Sequence, residues 1–278
     1  MKQHSELKNE IESCKTGKGA CAFWWLGQQG FALKLGRTIL YLDPYVSPHP
    51  DRLTAPLLDP EEMTDACLVI GSHDHGDHID RPAWQRLAAV SDRVRFVVPD
   101  ALLPGLAKEL SIPFERFIGL DDGQNFSIND ISVTGVAAAH EFLDQDPISG
   151  RYPYLGCIIE GNGMSVYHAG DTCRYEGLVR RLTQCRIDVC FLPINGRDAK
   201  RYATGCIGNM TYQEAADLAG EIQARVCVPA HYDMFAMNSE NPQLLVDYMA
   251  VKYPETGVCV CKHGERVIVR MDLKTSWS

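Results

Sequence analysis

Three histidines and an aspartate fall within six residues of this chain, in the order His73, x, His75, x, Asp77, His78. Neutral imidazoles and an ionised carboxylate are the ligands that hold Zn²⁺, Mn²⁺ or Fe²⁺ in proteins. In an extended loop, His73 and His75 point the same way and can share one metal ion, whereas Asp77 and His78 can turn towards a second. We expect Gly76 to permit that turn, because glycine adopts backbone angles that other residues avoid. The motif therefore predicts a metal-binding loop.

The flanking sequence places this loop at the end of a buried strand. Upstream, residues 66–70 form an uninterrupted apolar run, as expected for a strand that is covered on both faces. Downstream, Asp80 and Pro82 are typical of the start of a helix. Open α/β folds bind their ligands at the carboxyl ends of such strands. The motif thus lies where a binding site is expected.

Other apolar strands predicted from the sequence also end in a side chain that can bind a metal ion. These side chains are Asp43, His140, Asp171 and His231. A histidine or an aspartate after one strand is weak evidence by itself. Its repetition after several strands indicates that these groups converge on one edge of the sheets.

The converging groups are sufficient for two metal ions. The predicted ligands are His73, His75 and His140 for one ion and Asp77, His78 and His231 for the other, with Asp171 as a bridge. Two cations about 3.5–4 Å apart generate a nucleophile from water at neutral pH and hold both the attacking and the leaving oxygen. Positions left open for water and substrate would distinguish such a centre from a closed structural site. We therefore expect a catalytic centre with one or two divalent ions.

The remaining pattern predicts a single domain over residues 1–278. A short polar helix is expected within residues 1–15, as a surface cover or an oligomer contact, so the sequence is compatible with a homo-oligomer. Three short strands are expected over residues 21–26, 31–35 and 38–42, and helices and strands alternate from residue 82 onwards, with a strand near residues 258–261 among the last. Such alternation is typical of sheets with helices packed on them.

The amino-acid composition limits the kinds of binding partner and the cellular compartment that we expect for this protein. The net charge is −9 and no basic stripe is visible, which argues against a nucleic-acid partner and leaves a small anionic substrate possible. No apolar run is long enough to span a bilayer, and the N-terminal segment is too polar for a signal peptide. The 11 cysteines lie scattered, mostly in apolar runs, which favours buried free thiols. We expect a cytoplasmic protein that binds neither nucleic acid nor a membrane.

The motif and the distant His140, Asp171 and His231 resemble the metal ligands of the metallo-β-lactamase-fold hydrolases. The resemblance implies an α/β fold of four layers, an αβ/βα sandwich with the metal ions at one edge between the two sheets. It also implies that Asp43 supports the metal loop by hydrogen bonding to the ligands. Asp233, which closely follows His231, is expected to support the ligands in the same way.

Within that superfamily, the sequence is similar to the L-ascorbate-6-phosphate lactonase family. The similarity is carried by residues 24–27 with Gly30 and by residues 73–80, 167–171 and 228–233. It implies hydrolytic opening of a phosphorylated sugar lactone, such as L-ascorbate 6-phosphate, by a metal-bound hydroxide. Asp77 is expected to orient the nucleophile, and either Asp77 or a second metal-bound water would protonate the leaving alkoxide. The lactonase similarity suggests Mn²⁺ and three nitrogen ligands favour Zn²⁺, so both metals remain open.

Asn195, Arg197 and Arg201 follow a strand end that should lie beside the metal ions. An arginine suits a substrate phosphate because its planar group donates two hydrogen bonds, and Asn195 is placed to orient a carbonyl. Three alternatives are open. A phosphodiesterase or nuclease on the same fold would need a basic surface or a substrate arm, and a thioester hydrolase usually carries glycine where Ile79 stands. A non-enzymatic metal-binding protein is the third, and the full ligand set argues against it.

Overall fold

The computed structural model describes residues 4–271. The strands are β1 (Ala20–Gly27), β2 (Gly30–Leu35), β3 (Thr38–Leu42), β4 (Leu68–Ile70), β5 (Arg95–Pro99), β6 (Phe117–Leu120), β7 (Asn125–Ile128), β8 (Ile131–Ala137), β9 (Leu155–Gly161), β10 (Met164–His168), β11 (Val189–Pro193), β12 (Val226–Ala230), β13 (Gly257–Val258) and β14 (Arg266–Arg270). The helices are α1 (His4–Ser13), α2 (Arg81–Val90), α3 (Leu103–Leu110), α4 (Leu178–Leu182), α5 (Ala199–Ala203), α6 (Tyr212–Glu221) and α7 (Pro242–Lys252). Three short 3-10 helices occupy Pro60–Asp65, Phe114–Arg116 and Ala236–Asn238.

The strands form two seven-stranded sheets of mixed direction. The first has the order β14-β1-β2-β3-β4-β5-β6, and the second has the order β13-β12-β11-β10-β9-β8-β7. Strands β3 to β6 run parallel to one another, as do β10 to β13. The carboxyl ends of the parallel strands therefore lie together at one edge of each sheet, which is where this fold class binds ligands.

The two sheets pack face to face through apolar side chains. Phe31 of β2 stacks on Phe191 of β11 with ring centroids 3.9 Å apart, and Phe23 of β1 meets the same ring edge-on at 5.1 Å. Along β1, Phe23 and Trp25 face this core, whereas Trp24 between them faces the helices outside the sheet. This period of two with apolar residues on both faces is what a strand buried on both sides requires.

Helices cover the outer face of each sheet. Helices α1, α2 and α3 pack on the first sheet through a core that contains Leu7, Trp84 and Leu106. Helices α4, α6 and α7 contribute Leu178 and Leu245, among others, to the core around the second sheet. The predicted four-layer αβ/βα sandwich is thereby confirmed.

Several predicted elements differ in detail from the structure. The expected N-terminal helix is α1, and residues 1–3 of that prediction lie outside the described residues. The strand predicted to extend to residue 261 ends at Val258 as β13. Strands β6 and β7 and helices α4 and α5 were not predicted from the sequence. Between residues 4 and 271, no helix is both long and apolar enough to cross a membrane.

Candidate metal centre

The His-rich loop joins β4 to α2 and is folded by its own backbone hydrogen bonds. The amide of His75 donates to the carbonyl of His73 at 3.0 Å, and the amide of His78 donates to that of His75 at 3.1 Å. Asp80 then caps α2, and its carboxylate also accepts hydrogen bonds from the backbone amides of Val46 and Ser47 at 2.9 and 2.7 Å. The loop is thus pinned at its downstream end to the chain that follows β3.

The turn in this loop does not need a glycine at position 76. Gly76 has no positive φ angle, and a Cβ atom there would meet no atom within 4 Å. The expectation that Gly76 permits the turn is therefore wrong. Gly71, at the start of the loop, is the glycine that packing requires, because a Cβ there would lie 2.6 Å from Cγ1 of Ile79 and 3.0 Å from the ring of Trp84.

Asp43, directly after β3, anchors the loop from below. Its buried carboxylate accepts hydrogen bonds from the amide and the hydroxyl of Ser72, both at 2.7 Å. It also lies 2.7 Å from Nδ1 of His78 and 3.0 Å from Nε2 of His168. Burial alone would raise the pKa of Asp43, but the two histidines outweigh it and hold that pKa well below its usual range. The contact between Asp43 and Nδ1 of His78 also orients the His78 ring, so that its Nε2 atom faces away from Asp43 and towards the other ligands.

The first group of candidate ligands consists of His73, His75 and His140, with ligand atoms within 4.8 Å of one another. Nε2 of His140 lies 3.3 Å from Nδ1 of His75. The ring of His73 lies 4.5 Å from that of His75 and 5.1 Å from that of His140, measured between centroids. His140 follows β8, so the second sheet completes a group that the first sheet begins.

The second group consists of Asp77, His78 and His231 and meets the same distance limit. Oδ2 of Asp77 lies 3.7 Å from Nε2 of both His78 and His231. The two imidazole rings are stacked with centroids 5.5 Å apart. His231 follows β12, so this group also spans both sheets.

Asp171 connects the two groups. Its two carboxylate oxygens lie 3.4 Å from Nε2 of His78 and 3.2 Å from Nε2 of His231, and it also clusters with His73 and His78. Gly170 before it has a φ of +59°, and a Cβ atom there would lie 2.8 Å from the carbonyl of Leu155 and from Cβ of Ser72. The close approach of the two sheets at this point therefore requires glycine. The structure brings all seven predicted ligands together at one edge.

Burial and neighbouring charges set the pKa values in this centre. Burial opposes the charged form of Asp171, but His231 and His78 outweigh it and hold the pKa of Asp171 well below its usual range. Burial lowers the pKa of His73 strongly and that of His140 to about 4, so both are neutral at pH 7. Burial would also lower the pKa of His78 and His231, but the carboxylates, Asp171 first, raise both. A bound cation would displace those protons, because an imidazole ligand must be neutral.

The residues fit divalent metal ions. Several buried polar atoms of the centre lack a hydrogen-bond partner among residues 4–271, and an unpaired buried polar atom is costly. They include Nε2 of His73, His78 and His231 and Oδ1 of Asp171. Imidazole nitrogens with carboxylate oxygens form a donor set that suits Zn²⁺ or Mn²⁺. The free atoms and the donor types therefore agree with the predicted metal site.

The predicted substrate contacts lie near this edge but have protein partners. Asn195 is buried and donates from Nδ2 to Oδ1 of Asn238 at 2.8 Å. Arg197 donates two hydrogen bonds to the carboxylate of Glu214, at 2.5 and 2.7 Å. Arg201 forms an ion pair with Asp198 and donates to the carbonyl of Ser239 at 2.6 Å. The roles of Asn195, Arg197 and Arg201 towards a substrate stay predictions.

The contacts of two further residues near the centre, Asp233 and Gln28, differ from those that the sequence predicts. Asp233, predicted to support the ligands, is exposed, and within residues 4–271 no hydrogen bond joins it to a candidate ligand. Gln28 received no role, yet its side chain donates from Nε2 to Oδ2 of Asp77 at 2.9 Å. The available signal was a pair of adjacent glutamines between two apolar strands that lead to the same edge.

Backbone strain is concentrated around the centre. The non-glycine residues with positive φ include Gln28, Asp43, Glu141, His231 and Asp233, with angles between 41° and 72°. Such residues cost free energy and persist where the surrounding structure holds them, which is typical of functional sites.

Residues 38–232 match the Beta-lactamase superfamily domain, and this region contains every candidate ligand. The chain belongs to the metallo-β-lactamase superfamily. A similar protein of this superfamily, the UPF0173 metal-dependent hydrolase of Hyperthermus butylicus, is 29% identical over 246 residues, which cover 87% of this chain and 96% of that one. Its name specifies neither the bond that it cleaves nor its substrate.

Two solved structures share this fold. Igni18, a metallo hydrolase from Ignicoccus hospitalis, aligns with a TM-score of 0.70 at 20% identity, over 91% of this chain and all of that one. CmlA, a diiron β-hydroxylase from Streptomyces venezuelae, gives a TM-score of 0.68 at 14% identity, over 90% of this chain and 54% of that one. The superfamily fold therefore accommodates different chemistries, and the reaction has to be argued from the site.

Proposed function

We propose that this protein is a metal-dependent hydrolase with two adjacent divalent ions. The observation that supports this is the overlap of the ligand clusters, in each of which the ligand atoms lie within 4.8 Å of one another. The cluster of His73, His78 and Asp171 shares His73 with the first group and His78 with the second. When bound, such ions supply Lewis-acid charge to the scissile group and lower the pKa of water. His73, His75 and His140 would hold one ion, and Asp77, His78 and His231 would hold the other.

Asp77 is the carboxylate of the centre that faces a substrate. Its side chain is 25% exposed, whereas that of Asp171 is 5% exposed and lies between two histidines. We assign to Asp77 the orientation of the attacking water, the acceptance of a proton from that water and the transfer of this proton to the leaving oxygen. Asp171 holds the two groups together and has little access to the substrate.

We propose a carboxylic ester or lactone as the bond that is cleaved. The two arginines predicted beside the metal ions, Arg197 and Arg201, are each paired with a carboxylate, so they add little uncompensated positive charge. A phosphodiester carries its negative charge at the scissile group and gains more from free arginines than a neutral carbonyl does. The overall charge of −9 likewise disfavours a nucleic acid as the phosphodiester.

A phosphorylated sugar lactone such as L-ascorbate 6-phosphate is the specific substrate that we propose. The anionic group of this substrate would have to compete with Glu214 for the guanidinium of Arg197, because Nη1 and Nη2 of Arg197 already donate to the two carboxylate oxygens of Glu214. A phosphorylated lactone and its unphosphorylated counterpart therefore test two separate parts of the proposal, the bond and the phosphate contact.

The test is hydrolysis by metal-free protein reloaded with Mn²⁺ or Zn²⁺, with His75→Ala as the inactive comparison. We expect metal-dependent opening of L-ascorbate 6-phosphate, a lower rate with the unphosphorylated lactone, and a loss of at least about 100-fold in the variant. Equal rates for both lactones would reject the phosphate contact alone. Turnover of a phosphodiester or a thioester with no turnover of either lactone would overturn the ester proposal in favour of a phosphodiesterase or a thioester hydrolase.

A further inference from the structure

The tight turn between β1 and β2 places one side chain against the second ligand group. Gln28 lies in this turn and is fully buried. Its Nε2 atom donates to Oδ2 of Asp77 at 2.9 Å, which is the same oxygen that lies 3.7 Å from His78 and His231. An amide N–H that donates to a carboxylate forms a charge-assisted hydrogen bond. Gln28 thus fixes the side-chain rotation of Asp77.

The backbone of Gln28 holds a second ligand of the same group. Its carbonyl accepts hydrogen bonds from the amide of His231 at 2.8 Å and from the indole Nε1 of Trp25 at 2.9 Å. Gln28 and His231 both have positive φ angles, 50° and 56°, which non-glycine residues adopt rarely. The hydrogen bond between them helps to hold this strained pair of turns in place.

The first ligand group is supported differently. His73 lies beside the hydroxyl of Ser72, which Asp43 holds, and His140 leaves the end of β8. The side chain of Gln28 reaches Asp77, and its carbonyl reaches His231 and Trp25. The contacts of Gln28 therefore bear on one ion site more than on the other.

We propose that Gln28 is a positioning residue for the second ion, the one that Asp77, His78 and His231 would hold. This inference rests on the proposed two-ion centre and deepens it. Gln28 holds the carboxylate of Asp77 through its side chain and the loop of His231 through its backbone carbonyl. Two of the three ligands of this ion are therefore held by one residue from outside the ligand set. Loss of a group that orients a metal ligand typically weakens metal affinity by about 10- to 100-fold.

Gln29 provides a matched control. It is the next residue in the same turn and is equally buried. Its Nε2 atom faces the carbonyl of Phe191 in the second sheet at 3.5 Å, and among residues 4–271 its side chain forms no hydrogen bond to a candidate ligand. A change at position 29 therefore disturbs the packing of the turn to a similar degree without removing a hydrogen bond to Asp77.

The experiment compares Gln28→Met with Gln29→Met in the full chain. Metal-free protein is titrated with Co²⁺ in competition with a chelator, the bound ions per chain are counted, and the visible absorption bands report the coordination of each ion. For Gln28→Met we expect the second ion to bind about 10- to 100-fold more weakly, with the first ion unchanged. For Gln29→Met we expect both affinities to match those of the unchanged protein.

Other results of this titration would reject either the role of Gln28 or the two-ion centre. Two ions bound by Gln28→Met with undiminished affinity, or an equal loss of affinity in both variants, would overturn the role of Gln28. Fewer than two ions bound by the unchanged protein would reject the two-ion centre itself, and the role of Gln28 with it. If a methionine variant does not fold, as judged by its far-ultraviolet circular dichroism, the pair Gln28→Ala and Gln29→Ala gives the same comparison with smaller side chains.

Discussion

Asp43 lies outside the ligand set, yet its carboxylate holds both the metal-binding loop and one ligand. Its carboxylate meets the amide and hydroxyl of Ser72 and a nitrogen of both His78 and His168. An asparagine would keep one acceptor oxygen and would bring an N–H group towards imidazole nitrogens that themselves donate.

We predict that Asp43→Asn destabilises the metal-free protein by about 2–4 kcal/mol, because hydrogen bonds to a buried charge are lost. Urea unfolding followed by circular dichroism measures this change. Asp233→Asn is the control, since Asp233 is exposed, and we expect its effect to lie within about 0.5 kcal/mol. Equal effects of the two substitutions would contradict the role assigned to Asp43.

The burial of Asp65 predicts a pH dependence of the free energy of unfolding that does not involve the metal centre. Burial raises its pKa to about 6, and its Oδ1 atom accepts a hydrogen bond from the hydroxyl of Tyr41 at 3.2 Å. The folded state therefore retains this proton between pH 4 and 6, where the unfolded state releases it. The contribution of Asp65 to stability is present below pH 4, falls as the pH rises to 6, and stays low above that.

Asp65→Asn removes this titration. We expect the variant to gain about 1–2 kcal/mol of stability relative to the unchanged protein on going from pH 4 to pH 7.5, somewhat less than the full pKa shift because the group is partly solvated. Urea unfolding of both proteins at the two pH values measures the gain. A difference in unfolding free energy that is the same at both pH values would show that Asp65 titrates normally in the folded protein.

The loop between β4 and α2 predicts different tolerances for its two glycines. A Cβ atom at position 71 would press on Ile79 and Trp84, whereas one at position 76 would meet open space. We predict that Gly71→Ala costs about 1–3 kcal/mol, because α2 or the loop must shift, and that Gly76→Ala changes stability by less than about 0.5 kcal/mol. Thermal unfolding of both variants checks this. Strong destabilisation by Gly76→Ala would mean that the turn requires glycine after all.

Long apolar strands were predictable from the sequence, and short or exposed elements were not. Strands β1, β2 and β3 coincide with their predictions to within one residue, because every residue in them is buried. Strand β7 has four residues that alternate between exposed and half-buried, so it carries no strong apolar period. Helices α4 and α5 have five residues each, which is too short for a helical period to show.

The topology of the two sheets explains why the sequence predicted the position of the ligands but not the partners of the proposed substrate contacts. Each ligand follows an apolar strand, and parallel strand ends meet at one edge, so local sequence was sufficient to place the ligands. The partner of Arg197 is Glu214, 17 residues further along the chain, and Gln28 meets Asp77 across 49 residues. Such pairings depend on how loops and helices dock, and no local pattern encodes them.

The count of divalent ions per chain tests the two-ion centre most directly. Metal-free protein is saturated with Zn²⁺ or Mn²⁺, and the excess metal is removed by gel filtration. The bound metal is then measured by inductively coupled plasma mass spectrometry, in the unchanged protein and in His73→Ala. We expect two ions per chain in the unchanged protein and fewer in the variant, because His73 belongs to the first ligand group and also clusters with His78 and the bridging Asp171. A folded protein that binds fewer than two ions, or whose two ions are both retained in His73→Ala, would contradict the two-ion centre.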